Sequence, residues 1–255
     1  MRRLVFFLSL VFIAPFYGQD KVQEAFERGV QYLQNRDFHA AETQFKVVLT
    51  QGQRTEVLKM ANVYMGQSLN GQGQYNNALV FFDKAIELDS LDLKSFIDRG
   101  LCFAYAKNHL KAKKDFNHVL SIQQIGPQAE GAYYWLGRLA FANGDMKVAI
   151  DNFSQLLSQA PQDAEAYFLR GTAYSNLFEH NEAIANFDLA IEYKPDYMEA
   201  LANRGVSKMN LVPTKEKLEN KKGCFKEPCS DLLRAKELGD EAVDDMIFLY
   251  CKKCK

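Results

Sequence analysis

The chain has 255 residues, of which 25% are charged and 47% hydrophobic, and its formal net charge is -1. That composition is typical of an ordinary globular protein of one or two domains and argues against extended disorder. With so small a net charge there is no clustered cationic field to hold nucleic acid, and none is expected as a partner.

The N-terminus reads "MRRLVFFLSLVFIAPFYGQD": two arginines, an apolar run from Leu4 to Ala14, a break at Pro15 and a small Gly18. This is the layout of a secretory signal peptide over residues 1–18, with cleavage expected after Gly18. Phe16, two residues before that point, is larger than the usual small residue. Eleven residues are too few to span a bilayer, which takes about 20. No cysteine follows the run to carry a lipid, and no later segment is apolar enough to cross a membrane. An exported chain, periplasmic or secreted, is expected.

From residue 22 onward the sequence repeats itself. Glycines recur at 29, 66, 100, 137, 171 and 205, separated by 37, 34, 37, 34 and 34 residues. Twelve residues after each of the first five stands an alanine: Ala41, Ala78, Ala112, Ala149 and Ala183. Four further on is a phenylalanine: Phe45, Phe82, Phe116, Phe153 and Phe187. Three beyond that come the apolar Val48, Ala85, Val119, Leu156 and Ala190. Four columns in phase over five copies define a repeat protein. Each unit splits into two helices at "RDF", "GQGQY" or "ANGDM", where a glycine or turn-forming polar residue interrupts the apolar period. The glycine and alanine columns predict close approach of the two helices, and the phenylalanine column is assigned to the gap between neighbouring units. The three extra residues of the longer spacings come close to one helical turn; helix and loop are both open as their location.

The sixth unit is interrupted. Its first helix, "MEALANRGVSKMNL", is followed by "VPTKEKLENKKGCFKEP", and a second helix resumes at "CSDLLRAKELG", where Leu232 and Ala235 continue the two columns. A final helix is expected from Asp240, a good N-cap. The organisation is thus a signal peptide (1–18), a repeat array (22–211), an insert (212–227) and a cysteine-containing capping unit (228–255). The insert carries Lys215, Lys217, Lys221, Lys222 and Lys226, a run expected to be solvated, with contact to an acidic partner as the alternative.

Cys224, Cys229, Cys251 and Cys254 cluster at this end. Two antiparallel helices joined near Gly239 would set Cys229 opposite Cys251 and Cys224 opposite Cys254. Disulfides suit an exported chain; a four-thiolate zinc site and free thiols are the alternatives. Cys102 stands alone in a helix and reads as a small buried apolar residue.

Chemistry is otherwise sparse. There is no G-x-S-x-G, H-E-x-x-H or P-loop, and "GQG" at 71–73 follows no strand. His39, His109, His118 and His180 show no ligand spacing. Asn152 opens an N-x-S sequon, relevant only in a glycosylating pathway. No enzyme activity, no cofactor and no metal are expected.

"YYWLGRLA" supplies Leu136 and Gly137, with Tyr133 where a signature tryptophan would fall. "YFLRGTAY" supplies Tyr167, Gly171 and Tyr174, and Pro161 and Pro195 close two units. These features resemble the tetratricopeptide repeat family over residues 22–211, and loosely over 228–238. Arginine replaces the family's leucine before the glycine at Arg28, Arg99, Arg170 and Arg204. The resemblance implies an all-α, right-handed superhelical solenoid of helix-turn-helix units. It also implies a concave groove lined by residues three before and one after each glycine. Those are Phe26, Val30, Val63, Gln67, Ile97, Leu101, Tyr134, Arg138, Phe168 and Thr172, then Ala202 and Val206. The lysines and asparagine with which some members clamp acidic peptide tails are absent from these positions. The expected function is noncatalytic binding of a peptide or protein segment in this groove. The alternative is a structural subunit of an envelope or secreted assembly, acting through its convex face or C-terminal end. An aromatic stripe at helical spacing is also the pattern of a packed core.

Overall fold

A computed structural model describes residues 20–213 and 225–251. The signal peptide, Lys215, Lys217, Lys221, Lys222, Cys224 and Cys254 lie outside the described residues. Those described form thirteen α-helices and one short 3-10 turn, with no β-strand among them. The chain divides into two compact units, Met1–Ala106 and Lys107–Lys255, with the division inside the third repeat.

The first unit contains α1 (Asp20–Gln34), α2 (Phe38–Gln51), α3 (Thr55–Gly71), α4 (Tyr75–Leu88) and α5 (Leu93–Tyr105). The second contains α6 (His109–Ile122), α7 (Pro127–Ala142), α8 (Met146–Gln159), α9 (Ala164–Asn176), α10 (His180–Tyr193) and α11 (Met198–Leu211). It continues with α12 (Lys226–Glu237), the 3-10 turn Glu241–Val243 and α13 (Asp244–Tyr250). Within each unit, helices adjacent in sequence pack on one another, the arrangement of a helical solenoid.

The turns inside the repeats share one geometry. Arg36, Gly73, Gly144, Phe178 and Gly239 all sit at φ between 62° and 106°, the left-handed conformation that ends a helix. The amide of the next residue reaches back to a carbonyl five positions earlier: Asp37 to Tyr32, Gln74 to Leu69, Asp145 to Ala140, Glu179 to Tyr174 and Asp240 to Ala235, at 2.9–3.1 Å. These bonds satisfy carbonyls that a helix end leaves open, which is why the two helices of a unit reverse direction over so few residues.

The glycine and phenylalanine columns meet inside the unit. Phe45, Phe82, Phe153 and Phe187 are fully buried. A Cβ added at Gly29, Gly66, Gly137 or Gly171 would lie 2.6–2.8 Å from Cε1 of the corresponding ring. The aromatic edge occupies the space that glycine leaves on the first helix. The sequence reading places these rings between neighbouring units; they do meet the next unit, and their tips also lie on their own unit's glycine. Phe45 also stacks on Tyr64 of the next repeat, with ring centroids 5.5 Å apart. In the sixth repeat Leu232 takes the ring's place, its Cγ 2.9 Å from the same construction on Gly205.

The extra residues of the longer spacings lengthen helices. α3 and α7 have 17 and 16 residues, against 13 in α5 and α9, and the added turn lies before the repeat glycine.

Three of the four arginines that depart from the family pattern bind helices together, while Arg28 pairs with Glu24 of its own helix at 2.6 Å. Arg99 reaches Asp83 of the preceding second helix at 2.7 Å. Arg170 joins Ser154 of α8 to Asn186 of α10, at 3.0 and 2.8 Å. Arg204 joins Asp188 of α10, at 2.7 Å, to Asp231 of α12, where its Nε donates to Oδ2 at 2.9 Å. Lys208 also donates to Asp231 at 2.9 Å.

At the C-terminal end, Leu201, Met209, Phe225, Leu232, Val243 and Cys251 form one buried cluster. The Asp240 carboxylate accepts from the Ala242 amide at 2.9 Å and starts the 3-10 turn. A disulfide joins Cys229 of α12 to Cys251 at the end of α13, with Cα atoms 5.5 Å apart. Cys102 is fully buried, and burial pushes its thiol pKa up to about 11, so it carries almost no thiolate at neutral pH.

Candidate functional site

Each compact unit presents its own first-helix face. In the first unit, Phe26 packs edge-on against Phe45 and Tyr64, with centroids 6.2 and 5.7 Å away, and Val63 is buried. Gln67 donates to Asp98 of α5 at 2.8 Å, and Lys94 donates to the same carboxylate at 2.8 Å. Val30, Ile97 and Leu101 are half-buried. Phe26 and Val63 therefore act mainly as packing between repeats, whereas Val30, Ile97 and Leu101 keep apolar surface open to solvent.

In the second unit the face centres on Arg138. Its guanidinium lies 4.9 Å from the Trp135 ring and 5.6 Å from the Tyr134 ring, and its Nη1 donates to the Tyr134 hydroxyl at 3.2 Å. That hydroxyl in turn donates to Glu165 of α9. Burial first, and then the bond to Glu165, raise the Tyr134 pKa above its ordinary value. Tyr134 is itself buried, so an immobile phenol and an indole hold an exposed cation in place, each aromatic contact adding about 0.5–1 kcal/mol at such a site.

On α9, Phe168 is half-buried between Tyr197 and Phe187, at centroid distances of 5.0 and 6.1 Å. The Thr172 hydroxyl turns back to the Phe168 carbonyl at 2.8 Å. Tyr197 carries the Lys194 ammonium 3.9 Å from its ring centroid. Burial, followed by the nearby Glu165 and Glu199 charges, raises the Tyr197 pKa as well. On α11, Ala202 is buried and Val206 half-buried.

Within the second unit the structure thus brings together Tyr134, Arg138, Phe168 and Thr172. It adds Trp135, Glu165 and Tyr197, which sequence reasoning missed because they stand outside the glycine-referenced positions. The only available signal was the enrichment of aromatics around 133–135 and 167–168. The arrangement offers aromatic surface, two cations held against rings, Arg138 and Lys194, and hydrogen-bonding hydroxyls.

Sequence models of the tetratricopeptide repeat family match residues 65–164 and 164–197, together just over half of the chain. A tetratricopeptide repeat and J domain-containing co-chaperone, DNJ1 of Fusarium oxysporum f. sp. lycopersici, is 35% identical over 94 residues. That alignment takes in 37% of this chain and 17% of that protein. The chain spans less than a quarter of the length of the curated relatives it matches. Among solved structures, YrrB, described as a TPR protein with an unusual peptide-binding site, superposes with a TM-score of 0.59 at 20% identity. It covers 80% of this chain and 97% of its own. MamA from Desulfovibrio magneticus RS-1 gives a TM-score of 0.59 at 19% identity, covering 71% and 94%. At these identities the structural likeness is one of fold.

Proposed function

The chain belongs to the tetratricopeptide repeat family, and on that footing we propose that it is a noncatalytic interaction protein that binds a segment of another polypeptide along the first helices of its repeats. The observation that carries this reading is Arg138, exposed and held against two aromatic rings, one of which, Tyr134, also bonds Glu165 of α9. Apolar anchors with one directional charge suit a peptide that inserts side chains between repeats. In the first unit, Val30, Ile97 and Leu101 offer the apolar part of the same chemistry. The peptide-binding site for which YrrB is described supports a peptide as the ligand class.

The test uses side chains outside the core. A peptide selected from a displayed library on the purified chain is expected to lose at least tenfold in affinity when Arg138→Glu and Thr172→Glu are combined, about 1.4 kcal/mol, while helical circular dichroism is unchanged. A selected peptide that binds both forms equally overturns the first-helix site. Alanine at Phe26, Tyr134 or Phe168 makes a poorer probe, because those side chains also hold the repeats together.

We also propose that the protein works outside the cytoplasm. The arginine-led apolar N-terminus and the Cys229–Cys251 pair both support export. Chain recovered from its native host is expected to begin at Gln19; an intact Met1 would sink this reading.

A further inference from the structure

The residue four before the repeat glycine is large and apolar or aromatic in the later repeats: Phe96, Tyr133, Tyr167 and Leu201. In the fifth repeat, Tyr167 packs in one cluster with Leu157 of the preceding second helix. It also stacks on Tyr193 of its own second helix, centroids 5.9 Å apart. The second repeat has Asn62 at this position, with Leu49 and Leu88 standing where the fifth has Leu157 and Tyr193. In place of the ring of the fifth repeat there is here a groove open to solvent, of about 370 Å³, walled by Leu49, Leu58, Phe81 and Leu88. Leu58 comes from the added first turn of α3, so two local departures from the repeat pattern make the slot.

Its polar groups are few and specific. Asn62 is only 5% exposed; its Nδ2 donates to the Leu58 carbonyl at 2.7 Å, and among the described residues nothing donates to its Oδ1. That oxygen still reaches solvent; an occupant that covers it takes it out of water, so the slot favours one that brings a donor. Lys84 and Glu87, both exposed, stand at the mouth. Lys84 lies 5.5 Å from the Phe81 ring centroid, and neither residue makes an ion pair among the described residues.

We propose that this slot, lined by α4 and α3 with Leu49 of α2, is a second docking site that takes a tyrosine or tryptophan side chain from a partner polypeptide. The ring replaces the aromatic side chain that the second repeat lacks, its hydroxyl or indole N–H donates to Asn62 Oδ1, and charged neighbours of opposite sign meet Lys84 and Glu87. The site does not depend on the first-helix face.

The probes are acetyl-Glu-X-Lys-amide tripeptides titrated into the full chain and followed by saturation-transfer NMR, with X as Tyr, Trp, Phe or Leu. Tyrosine and tryptophan are expected to bind at least about fivefold more tightly than leucine, with phenylalanine between because it lacks the donor. Asn62→Tyr, which fills the slot with the chain's own ring, is expected to abolish binding and raise Tm by about 2–4 °C. Equal binding of the leucine peptide, no saturable binding, or binding retained in Asn62→Tyr overturns the proposal. Should Asn62→Tyr fail to fold, the exposed Lys84→Glu decides: weaker binding supports the site and unchanged binding overturns it. Free p-cresol binding as tightly as the tyrosine peptide overturns the polypeptide assignment. The Arg138→Glu, Thr172→Glu variant should bind these peptides normally, which separates this site from the first-helix face.

Discussion

Phe187→Ala is expected to destabilise the second unit by about 3–5 kcal/mol, the cost of truncating a fully buried aromatic ring in a site that cannot collapse. The ring is wholly buried, its tip lies on Gly171, and Ala183, Ala190 and Ala200 share its cluster. The alanines have no long side chains to swing into the space, and the larger Phe168 and Tyr197 are already packed on each other, so much of the cavity persists. Repeat arrays unfold in segments when one interface weakens, and the measurement is therefore hydrogen exchange across α9, α10 and α11 alongside urea denaturation. Protection lost in those helices is the expected result; a loss under about 1 kcal/mol would show that the glycine–phenylalanine contact is incidental. Gly171→Ala probes the other half of the pair. Overpacking costs about 1–3 kcal/mol, and the helix preference of alanine over glycine returns up to about 1 kcal/mol, so its net effect is the smaller.

Asp231→Ala is expected to cost about 3 kcal/mol, and Asp188→Ala less than about 1 kcal/mol, although both carboxylates bind Arg204. Burial makes the difference. The Asp231 side chain is 6% exposed and pairs with Arg204 and Lys208, whose side chains are 18% and 23% exposed. Removing it leaves two half-covered cations without their partner, the situation in which deleting one member of a buried pair costs about 3–5 kcal/mol. The lower end applies because Arg204 retains Asp188. The Asp188 side chain is 53% exposed, where water screens the pair and replaces it cheaply. Urea midpoints of the two variants, with m-values held equal, give the comparison; equal losses would mean that the Arg204 bridge contributes nothing through Asp231.

Contacts that recur in every repeat were legible in the sequence; those made only once were not. The all-helical fold, the helix pairs and the turns follow from columns that stay in phase, because each unit repeats the same short-range contacts and cannot bury its apolar face alone. The in-phase spacing of Gly29, Ala41 and Phe45 records a constraint met within one unit. It did not say which atoms the phenylalanine meets, because a spacing gives the face of a helix and not the direction of the ring. Nor did it say that the three extra residues lengthen α3 and α7, since one added turn leaves the apolar face nearly in register and the pattern unchanged. The bonds of Arg170 and Arg204 join residues 16 and 27 positions apart, separations that acquire meaning only once neighbouring second helices are packed side by side. The setting of Arg138 between Trp135 and Tyr134, and the slot beside Asn62, have the same origin. A helical repeat with a particular packing rule is written in the residue pattern. Tertiary structure alone decided where single departures from that rule leave a held charge or an unfilled space, because those depend on side chains brought together from different helices.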